Sequence, residues 1–555
     1  MSMNGADLAV KALEANGVKV IFGYPGAANA PFIESVSHSS IECVLSRNEQ
    51  GAAHMASGYA RVNRVAGVCT ATSGPGATNL ITAIATAYMD SIPMIAITGQ
   101  VKRELIGKDA FQEVDIIGAT LPFTKHSYLV KNVEDIPKIV NEAVHIATTG
   151  RPGPVLIDFP MDVLKTVYED DFNEEINLRG YKLVGKASES QIKKVSSALK
   201  KAKKPIILAG GGIACSGAVE EFRELVMRLD IPVVSTMMGL GAIPTDDRNF
   251  YGMIGSHGRK AANIIFNRSD LVIALGARLS DRTVANVEGL ENANKLIHID
   301  IDSAEIGKNV QPYIPVVGDI KDVTTQLINN LTDCNVSGEW KTEADAIRDE
   351  FEAKIVTEDT GFVNPRYFLK RLSEITGSDV YLTTEVGQNQ LWSANYFTIK
   401  KPENFLTSGG FGTMVYGLPA AIGASKAQSE KPVIAVMGDG SFQMDLPELG
   451  TKKQYNIPVK MVLFKNDRLG MVHEHQYLLY NSNYQMVDIT DGPDFCKLAE
   501  AYGIKSGTVS ENSDVDRAIN EMLDGNESYL LVVDVSPYEP TGNALNEAKI
   551  TKKEA

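Results

Sequence analysis

Short apolar runs alternate with longer amphipathic or alanine-rich stretches along most of the 555-residue chain. Runs such as 205–209, 271–275 and 433–437 have the length of buried strands, and the stretches between them have helical spacing. Strands that alternate with helices in this way form parallel sheets whose two faces are covered. The pattern therefore predicts an α/β protein built from doubly wound parallel sheets.

Two polar stretches, 168–189 and 333–358, divide this pattern into three blocks and have the composition of linkers. A chain of this length is also too long for a single core. The predicted domains are 1–167, 190–335 and 364–540. Residues after Pro537 are predicted to form a loosely ordered tail.

Composition narrows the class of protein. The net charge of −15 argues against a nucleic-acid surface. The five cysteines are scattered without metal-ligand spacing, and their odd number does not suggest a disulfide framework. The chain begins with an amphipathic helix at 6–15 rather than a secretory leader, and its apolar runs are too short to span a bilayer. We therefore expect a soluble cytoplasmic protein that binds neither nucleic acid nor membrane.

Candidate chemistry appears where two apolar runs of the third block end. Asp439 follows the run 433–437 within a Gly-Asp-Gly-Ser segment, and Asn466 follows the run 459–464. Ligand sites of open α/β sheets lie at these carboxyl ends, and hard oxygen ligands suit Mg²⁺. Either segment alone is explained by a turn or a helix cap. The pair at this spacing favours a diphosphate that is anchored through Mg²⁺.

The first block places Glu49 where the run 41–45 gives way to an alanine-rich helix. An acidic residue favoured by the helix dipole explains this position taken alone. Two glycine-rich strand-to-helix turns follow, at 72–79 and 91–100. Together with the segments at Asp439 and Asn466, these turns resemble the catalytic subunit of acetohydroxyacid (acetolactate) synthases, which are thiamine diphosphate (ThDP) enzymes. Further matching segments are 23–26, 107–113, 124–126, 387–392, 408–414, 417–423 and 469–472.

The middle block resembles the FAD-binding form of these enzymes. Its segment 276–282 contains the Arg-x-x-Asp-Arg element that the catabolic, FAD-free acetolactate synthases lack. The segments 253–258 and 297–302 also match. The glycines 210–212 are weak support by themselves, because a tight turn explains them equally well. The resemblance implies that FAD is structural, without a net redox role.

The resemblance also implies roles for individual residues. Glu49 would contact the aminopyrimidine ring nitrogen of ThDP across a dimer interface, and Met414 would be the apolar wedge beneath the thiazolium ring. The residues implied for catalysis are Glu49, Gln112 and Lys125. Those implied for ThDP binding are Gly387, Gln388, Asn389, Gly412, Met414, Gly438, Gly440, Ser441 and Met471. Those implied for FAD are Gly210, Gly211, His257, Arg278, Asp300 and Asp319. Those implied for substrate are Ala27, Phe111, Arg282 and His475, and those for Mg²⁺ are Asp439, Asn466 and the carbonyl of Arg468.

The implied reaction is decarboxylation of pyruvate and ligation of the two-carbon unit to a second 2-ketoacid, in branched-chain amino acid biosynthesis. The implied assembly is a homodimer or a dimer of dimers, with a possible small regulatory subunit. Two alternatives stay open: a ThDP decarboxylase or acyltransferase with another acceptor, and a non-catalytic homologue. The presence of Glu49, Asp439 and Asn466 together argues against the second alternative.

Several positions near the implied cofactor depart from the family pattern. These positions are Ala27, Asn29, Asn48, Asn389, Val415, Lys465 and His475. His475 stands where the family usually has a tryptophan that packs the acceptor pocket. Without that aromatic surface, an ethyl group is discriminated less well from a methyl group, so the sequence predicts a preference for pyruvate over 2-ketobutyrate as acceptor.

Overall fold

The computed structural model describes residues 3–169, 176, 178–183, 185–284, 287, 290, 295–330, 338–352, 355, 357–428 and 430–542. These residues form three six-stranded sheets, in each of which every neighbouring pair of strands is parallel. Helices cover both faces of each sheet, and the central strands are almost completely buried, whereas four of the edge strands are partly exposed. The predicted doubly wound α/β fold is confirmed.

The first domain has the strand order β3-β2-β4-β5-β7-β6, and β1 pairs antiparallel with β8 beside it. Its strands are β1 Met3–Asn4, β2 Val20–Gly23, β3 Glu42–Leu45, β4 Gly67–Ala71, β5 Met94–Gln100, β6 His126–Leu129, β7 Pro154–Pro160 and β8 Val167–Tyr168. Its helices are α1 Gly5–Ala15, α2 Ala30–Ser37, α3 Glu49–Asn63, α4 Pro75–Asn79, α5 Ile81–Met89, α6 Ile116–Thr120, α7 Ile136–Thr148 and α8 Met161–Lys165.

The second domain has the strand order β11-β10-β9-β12-β13-β14, the arrangement of dinucleotide-binding folds. Its strands are β9 Pro205–Ala209, β10 Val233–Ser235, β11 Phe250–Met253, β12 Leu271–Leu275, β13 Lys295–Asp300 and β14 Ile314–Val317. Its helices are α9 Glu189–Lys201, α10 Gly212–Cys215, α11 Val219–Leu229, α12 Lys260–Arg268, α13 Ile320–Asn330 and α14 Gly338–Glu350.

The third domain has the order β16-β15-β17-β18-β20-β19, which repeats the order of the first sheet. Its strands are β15 Tyr381–Thr384, β16 Phe405–Leu406, β17 Val433–Gly438, β18 Lys460–Lys465, β19 Lys505–Val509 and β20 Tyr529–Asp534. Its helices are α15 Pro365–Thr376, α16 Gln388–Tyr396, α17 Gly417–Ala427, α18 Asp439–Asp445, α19 Glu448–Gln454, α20 Gly470–Leu479, α21 Phe495–Ala501 and α22 Val515–Leu523.

Two predictions about the segments between and after the domains need correction. The stretch 333–358 contains α14, whose Trp340 is buried and donates a hydrogen bond of 2.9 Å to the Pro205 carbonyl. This part of the stretch therefore packs on the second domain. The chain after Pro537 is also held: Thr541 donates to the buried Glu474, and the Trp392 indole donates to the Pro540 carbonyl. The prediction of a loose tail is wrong as far as residue 542, and residues 543–555 lie outside the described part of the chain.

Two expectations about the sequence's composition can be compared with the structure. Cys43, Cys69, Cys215 and Cys496 are free thiols, and Cys334 lies outside the described residues. The helices that the structure describes include none that is both long and apolar enough to cross a membrane.

The first and third domains pack against each other through α3 and α17. A Cβ atom at Gly58 would lie 2.1 Å from the Ala420 carbonyl oxygen, and one at Gly423 would lie 1.9 Å from the Met55 carbonyl oxygen. Only glycine fits at such distances, so the two helix backbones are in direct contact. This packing fixes the position of α3, and therefore of Glu49 at its first residue, relative to the third domain of the same chain.

Candidate active site

The site in the third domain lies where the order of its sheet reverses. Strands β15 and β17 are neighbours there, although β16 follows β15 in the chain and lies on its other side. Such a switch point opens a crevice at the carboxyl ends of the strands. Glu385 to Gln388 follow β15, and α18 begins at Asp439 directly after β17. The polar residues predicted from the apolar runs therefore meet at one edge of the sheet.

Asp439 is buried at this edge and organises the neighbouring loop. One carboxylate oxygen accepts hydrogen bonds from the backbone N–H groups of Asn466, at 2.9 Å, and Asp467, at 2.6 Å, and the other accepts from Gly440 at 2.9 Å. Burial raises the pKa of Asp439 to about 6, and these hydrogen bonds oppose the shift. A divalent cation would compensate for this buried negative charge.

The donor set around Asp439 fits a cation that also binds phosphate. The Asn466 side-chain oxygen accepts from the Arg468 backbone N–H at 3.1 Å, which brings Arg468 back to the same loop. Among the described residues there is no group of three or more His, Cys, Asp and Glu that could hold a metal by themselves. Mg²⁺ characteristically takes one or two carboxylates and completes its shell with waters and phosphate oxygens, so this small donor set matches the hypothesis of an anchored diphosphate.

Gln388 and Asn389, at the start of α16, lie beside the same cluster. The Gln388 oxygen is 3.3 Å from the Asn466 side-chain nitrogen, which donates to it. The Gln388 nitrogen donates to the buried Glu474 and to the Glu539 carbonyl, each at 2.9 Å. The Asn389 oxygen is buried and has no hydrogen-bond partner within the described structure. The C-terminal segment thus holds Gln388 beside the loop that begins at Asn466, while Asn389 keeps an unused polar atom close by.

Glu49 is the first residue of α3, and it is half-buried. The Asn48 side chain caps this helix by accepting from the Gln50 N–H at 2.8 Å, which explains why asparagine is suitable at this position. One Glu49 oxygen accepts from the Asn79 side chain at 2.9 Å. The other is so close to Gly76 that a Cβ atom there would lie 3.2 Å away. The glycine-rich turn at 72–79 thus leaves room for the carboxylate.

Gln112 lies at the same turn as Glu49. It has a left-handed backbone, with φ of 58°, and its backbone is so close to Gly74 that a Cβ atom on the glycine would collide with it. The structure therefore brings together two of the three residues predicted for catalysis. Phe111 beside it is 86% exposed, and Ala27 is also exposed. A large exposed apolar side chain such as Phe111 is typical of a surface that binds a ligand or a second chain.

Lys125, the third residue predicted for catalysis, has a different environment. Its ammonium donates to the carbonyls of Ile146 and Thr149 at the end of α7, the latter at 2.7 Å, and contacts the Tyr181 hydroxyl. Burial lowers the pKa of Lys125 to about 8, and the positive charge of Arg151 adds to this effect. The structure does not bring this ammonium together with Glu49 and Gln112 but uses it to cap a helix.

Three buried acids near these sites were not identified from the sequence. They are Glu385, Asp445 and Glu448. Glu448 accepts from the backbone N–H groups of Arg47 and Asn48 at 3.1 to 3.2 Å, directly before Glu49. It therefore holds the start of α3 from the third domain. In the sequence, Glu448 is only an acidic residue in a stretch with helical spacing. That pattern does not reveal a partner 400 residues away in the chain.

A cavity of about 940 Å³ lies at the switch point of the second sheet, between β9 and β12. Gly211, His257, Arg278, Asp300 and Asp319 line it, as predicted for a flavin site, whereas Gly210 packs against the Gly276 carbonyl. The cavity has the size and fold position of a dinucleotide site. Burial raises the pKa of Asp300 to about 6.

The same cavity reaches the third domain. Gly412, Met471 and His475 line it together with Arg282. Burial lowers the pKa of His257, which lines the same cavity, to about 4, and the nearby Arg282 and His475 contribute to this shift. Arg282 and His475, both predicted for substrate, therefore border the space that connects the second and third domains.

Comparison with known proteins agrees with this architecture. Three family models match: "Thiamine pyrophosphate enzyme, N-terminal TPP binding domain" at 3–119, "central domain" at 192–327 and "C-terminal TPP binding domain" at 385–535. Thiamine pyrophosphate is ThDP. The fold and the site thus define a ThDP-dependent enzyme.

Similar proteins identify the branch of this class. The chain is 44% identical to the probable acetolactate synthase large subunit of Methanocaldococcus jannaschii, over 97% of this chain and 93% of that protein. It is 41% identical to acetolactate synthase isozyme 2 large subunit of Escherichia coli, over 97% and 96%, and 42% identical to chloroplastic acetolactate synthase 2 of Nicotiana tabacum, over 98% and 84%. The chain belongs to the acetolactate synthase large-subunit family of enzymes, which transfer a two-carbon unit.

Proposed function

We propose that this chain is the catalytic subunit of an acetolactate synthase that converts two molecules of pyruvate into 2-acetolactate and carbon dioxide. The observation that carries the proposal is the meeting of Asp439, Asn466 and Gln388 at one sheet edge, in a chain that matches acetolactate synthases along nearly its whole length. The 2-ketoacid substrate class follows from the same family membership. A second product, acetohydroxybutyrate, would form when 2-ketobutyrate is the acceptor.

The protein's part in the reaction is to bind, orient and exchange protons. Bound ThDP supplies a carbon nucleophile and accepts the electron pair that decarboxylation releases. Asp439, Asn466 and the Arg468 carbonyl would hold Mg²⁺ on the diphosphate, and Gln388 and Asn389 would donate to its oxygens. Gly438, Gly440 and Ser441 lie at the start of α18, where the helix dipole favours an anion.

Glu49 would hold and exchange a proton at the aminopyrimidine ring nitrogen. Its carboxylate is half-buried and has a neutral neighbour, Asn79, so no cation competes for it in the described structure. Met414 would support the cofactor from below, and the Gly412 carbonyl would accept from its amino group. These roles, and those of Gln112 and Met471, remain proposals from the family resemblance.

FAD would occupy the cavity between β9 and β12. The strand order of the second sheet and the five predicted residues that line the cavity support this proposal. The flavin would be structural, and Arg282 and His475 would border the substrate where the cavity reaches the third domain. A guanidinium such as that of Arg282 can bind a ketoacid carboxylate with two hydrogen bonds. Lys125 is left with a positioning role at the end of α7.

A homodimer or a dimer of dimers with the site at its interface is the proposed assembly. Large apolar side chains are exposed near both halves of the site, including Phe111, Leu121, Tyr480 and Met486. A second copy that covered them would bring Glu49 of one chain to the third domain of the other. A small regulatory subunit is proposed because relatives are named large subunits. A cytoplasmic location stays a prediction from the sequence.

The proposal is tested by the carbon NMR product profile from ¹³C-labelled pyruvate, with ThDP, Mg²⁺ and FAD added. We expect acetolactate and carbon dioxide in a 1:1 ratio, because one pyruvate of each pair is decarboxylated. Acetaldehyde as the main product would instead support a decarboxylase with another fate for the two-carbon unit. Unreacted pyruvate would support the non-catalytic alternative.

His475→Trp is expected to shift acceptor preference toward 2-ketobutyrate. An indole in the cavity would contact the additional methylene of that acceptor, and one methylene in an apolar pocket is worth about 1–3 kcal/mol at most. The expected rise in the ratio of acetohydroxybutyrate to acetolactate is therefore about 10-fold, with an upper limit of about 200-fold. Product ratios from equimolar acceptors measure it. Gln476→Trp, on the next residue of α20, is the matched control; an equal shift in that variant would contradict a pocket effect.

A further inference from the structure

The residue after Met414 has an unusual backbone. Val415 has φ of 72°, in the left-handed region, where a β-branched side chain collides with the backbone. Such a conformation persists only when surrounding contacts enforce it, and it is a common feature of functional sites. In this chain the strained residue lies directly beside the side chain proposed to support the cofactor.

Glu385, at the end of β15, supplies those contacts. One of its oxygens accepts from the Val415 N–H at 3.1 Å, and the other accepts from the Gly417 N–H. Glu385 is fully buried, so water does not compete for these hydrogen bonds. A Cβ atom at Gly417 would lie 3.0 Å from the Glu385 carboxylate oxygen, and glycine is thus needed for this approach. In the turn 414–417, the Glu385 carboxylate therefore accepts hydrogen bonds from the residues on both sides of Tyr416.

A second buried acid, Asp445 at the end of α18, supports Glu385. Both Asp445 oxygens are buried, and no well-formed hydrogen bond reaches them from the described residues. Burial and the adjacent Glu385 charge raise the pKa of Asp445 well above its usual range. Burial also raises the pKa of Glu385, and the hydrogen bonds that it accepts from Val415 and Gly417 oppose that shift. Because these two N–H groups favour the ionised form of Glu385, a proton taken up by the pair is better placed on Asp445.

The first domain holds the turn from its other side. The Gln50 side chain donates to the Met414 carbonyl at 3.4 Å, and the hydroxyls of Thr86 and Thr413 are 2.6 Å apart. Tyr416 is fully buried against His54. The turn thus has fixed ends, and Val415 cannot relax toward an extended conformation while Glu385 holds its N–H group.

We propose that Glu385 is a positioning residue that holds Val415 in its left-handed conformation and so sets the position of Met414 in the cofactor site. This inference rests on the proposed function, because the part it assigns to Met414 is support of ThDP. It concerns a valine, which needs a restraint to stay in the left-handed region, whereas glycine would need none.

The test is a set of variants in the full-length chain, with ThDP, Mg²⁺ and FAD present: Glu385→Gln, Val415→Gly and the double variant. Glutamine has the shape of glutamate but presents an N–H group to one of the two donors. We expect Glu385→Gln to lower kcat by about 10- to 100-fold, as small misplacements of catalytic groups do. We expect Val415→Gly to rescue it, so that kcat of the double variant lies within about threefold of Val415→Gly alone, because glycine adopts the turn without the restraint.

Thermal unfolding gives a readout that does not depend on activity. Glu385→Gln is expected to lower the unfolding temperature by a few degrees, and Val415→Gly is expected to recover part of that loss. If the wild-type chain makes no acetolactate, the proposed function fails. The unfolding temperatures of the single and double variants still test whether Glu385 restrains Val415. If Glu385→Gln does not fold alone, the double variant is expected to fold.

Asn456→Gly in the Glu385→Gln background is the matched control, since Asn456 is another residue in the left-handed region but lies in an exposed loop after α19. It should rescue neither activity nor stability. The loss in Asp445→Asn should be at least about 10-fold smaller than in Glu385→Gln, because this substitution leaves the Glu385 carboxylate and its two backbone hydrogen bonds in place. A double variant that is no more active and no more stable than Glu385→Gln would overturn the proposal.

Discussion

Glu49→Gln is expected to lower kcat for acetolactate formation by about 10²- to 10⁴-fold, the usual contribution of a positioned acid or base. Glutamine can accept the 2.9 Å hydrogen bond from Asn79, so the local structure should persist. It cannot exchange a proton with the aminopyrimidine nitrogen, and that step is what the carboxylate is proposed to supply. Steady-state kinetics at saturating ThDP measure the effect, and calorimetric titration checks that ThDP still binds.

The competing explanation of Glu49 is an acid that stabilises the start of a helix, worth about 0.3–1 kcal/mol. Glu189→Gln tests it, because Glu189 is also the first residue of a helix and is exposed. Both variants should show the same small loss of stability, whereas only Glu49→Gln should lose activity. Wild-type kcat in Glu49→Gln would leave the helix-start explanation as sufficient.

Local sequence patterns predicted the positions of Asp439 and Glu49, because each lies shortly after a short apolar run that forms a strand. β9 and β12 have the bounds that the apolar runs predicted, and Asp439 and Glu49 are the first residues of the helices after β17 and before β4. Strand length and apolar content are short-range properties, so they can be read from a few consecutive residues. The fold class and the meeting of Asp439 with the loop at Asn466 were therefore accessible from the sequence.

Contacts between distant segments were not accessible in this way. Glu448 reaches the amides before Glu49 across 400 residues of sequence, and Asp445, at the end of α18, lies against Glu385, which follows β15. No local pattern reports such a contact. The same holds for Lys125, which was predicted for catalysis but whose ammonium donates to carbonyls at the end of α7. Only the structure shows the buried residues that hold the candidate site residues in place.

Departures from the family pattern also acquire reasons only in three dimensions. The buried Asn29 accepts from the Gly26 N–H at 2.8 Å and donates to the Tyr24 carbonyl, and so closes the turn that carries Ala27. The Lys465 ammonium forms an ion pair of 2.8 Å with Asp467, on the other side of Asn466 in the chain. These substitutions keep the geometry of their loops, since each polar side chain bonds within its own segment.

Asp439→Asn is expected to weaken ThDP binding in the presence of Mg²⁺ by at least about 100-fold, because it removes a direct cation ligand, and loss of even an indirect one costs about 10- to 100-fold. The amide would also present an N–H group toward the backbone donors of Asn466 and Asp467, which now share one carboxylate oxygen. Cation binding and loop order are therefore lost together. Calorimetric titration of ThDP at fixed Mg²⁺ measures the loss, and EDTA should produce a loss of similar size in the wild-type protein.

Asp467→Asn is the matched control for the Asp439 variant. Asp467 lies in the same loop with φ of 55°, which asparagine tolerates, but its carboxylate faces Lys465. Its substitution changes the local charge by the same amount without removing a proposed ligand. A selective loss in Asp439→Asn would therefore locate the cation on Asp439. Equal losses would mean that the net charge of the loop, rather than coordination, holds the diphosphate, and wild-type affinity in both variants would rule out this edge of the sheet as the cofactor site.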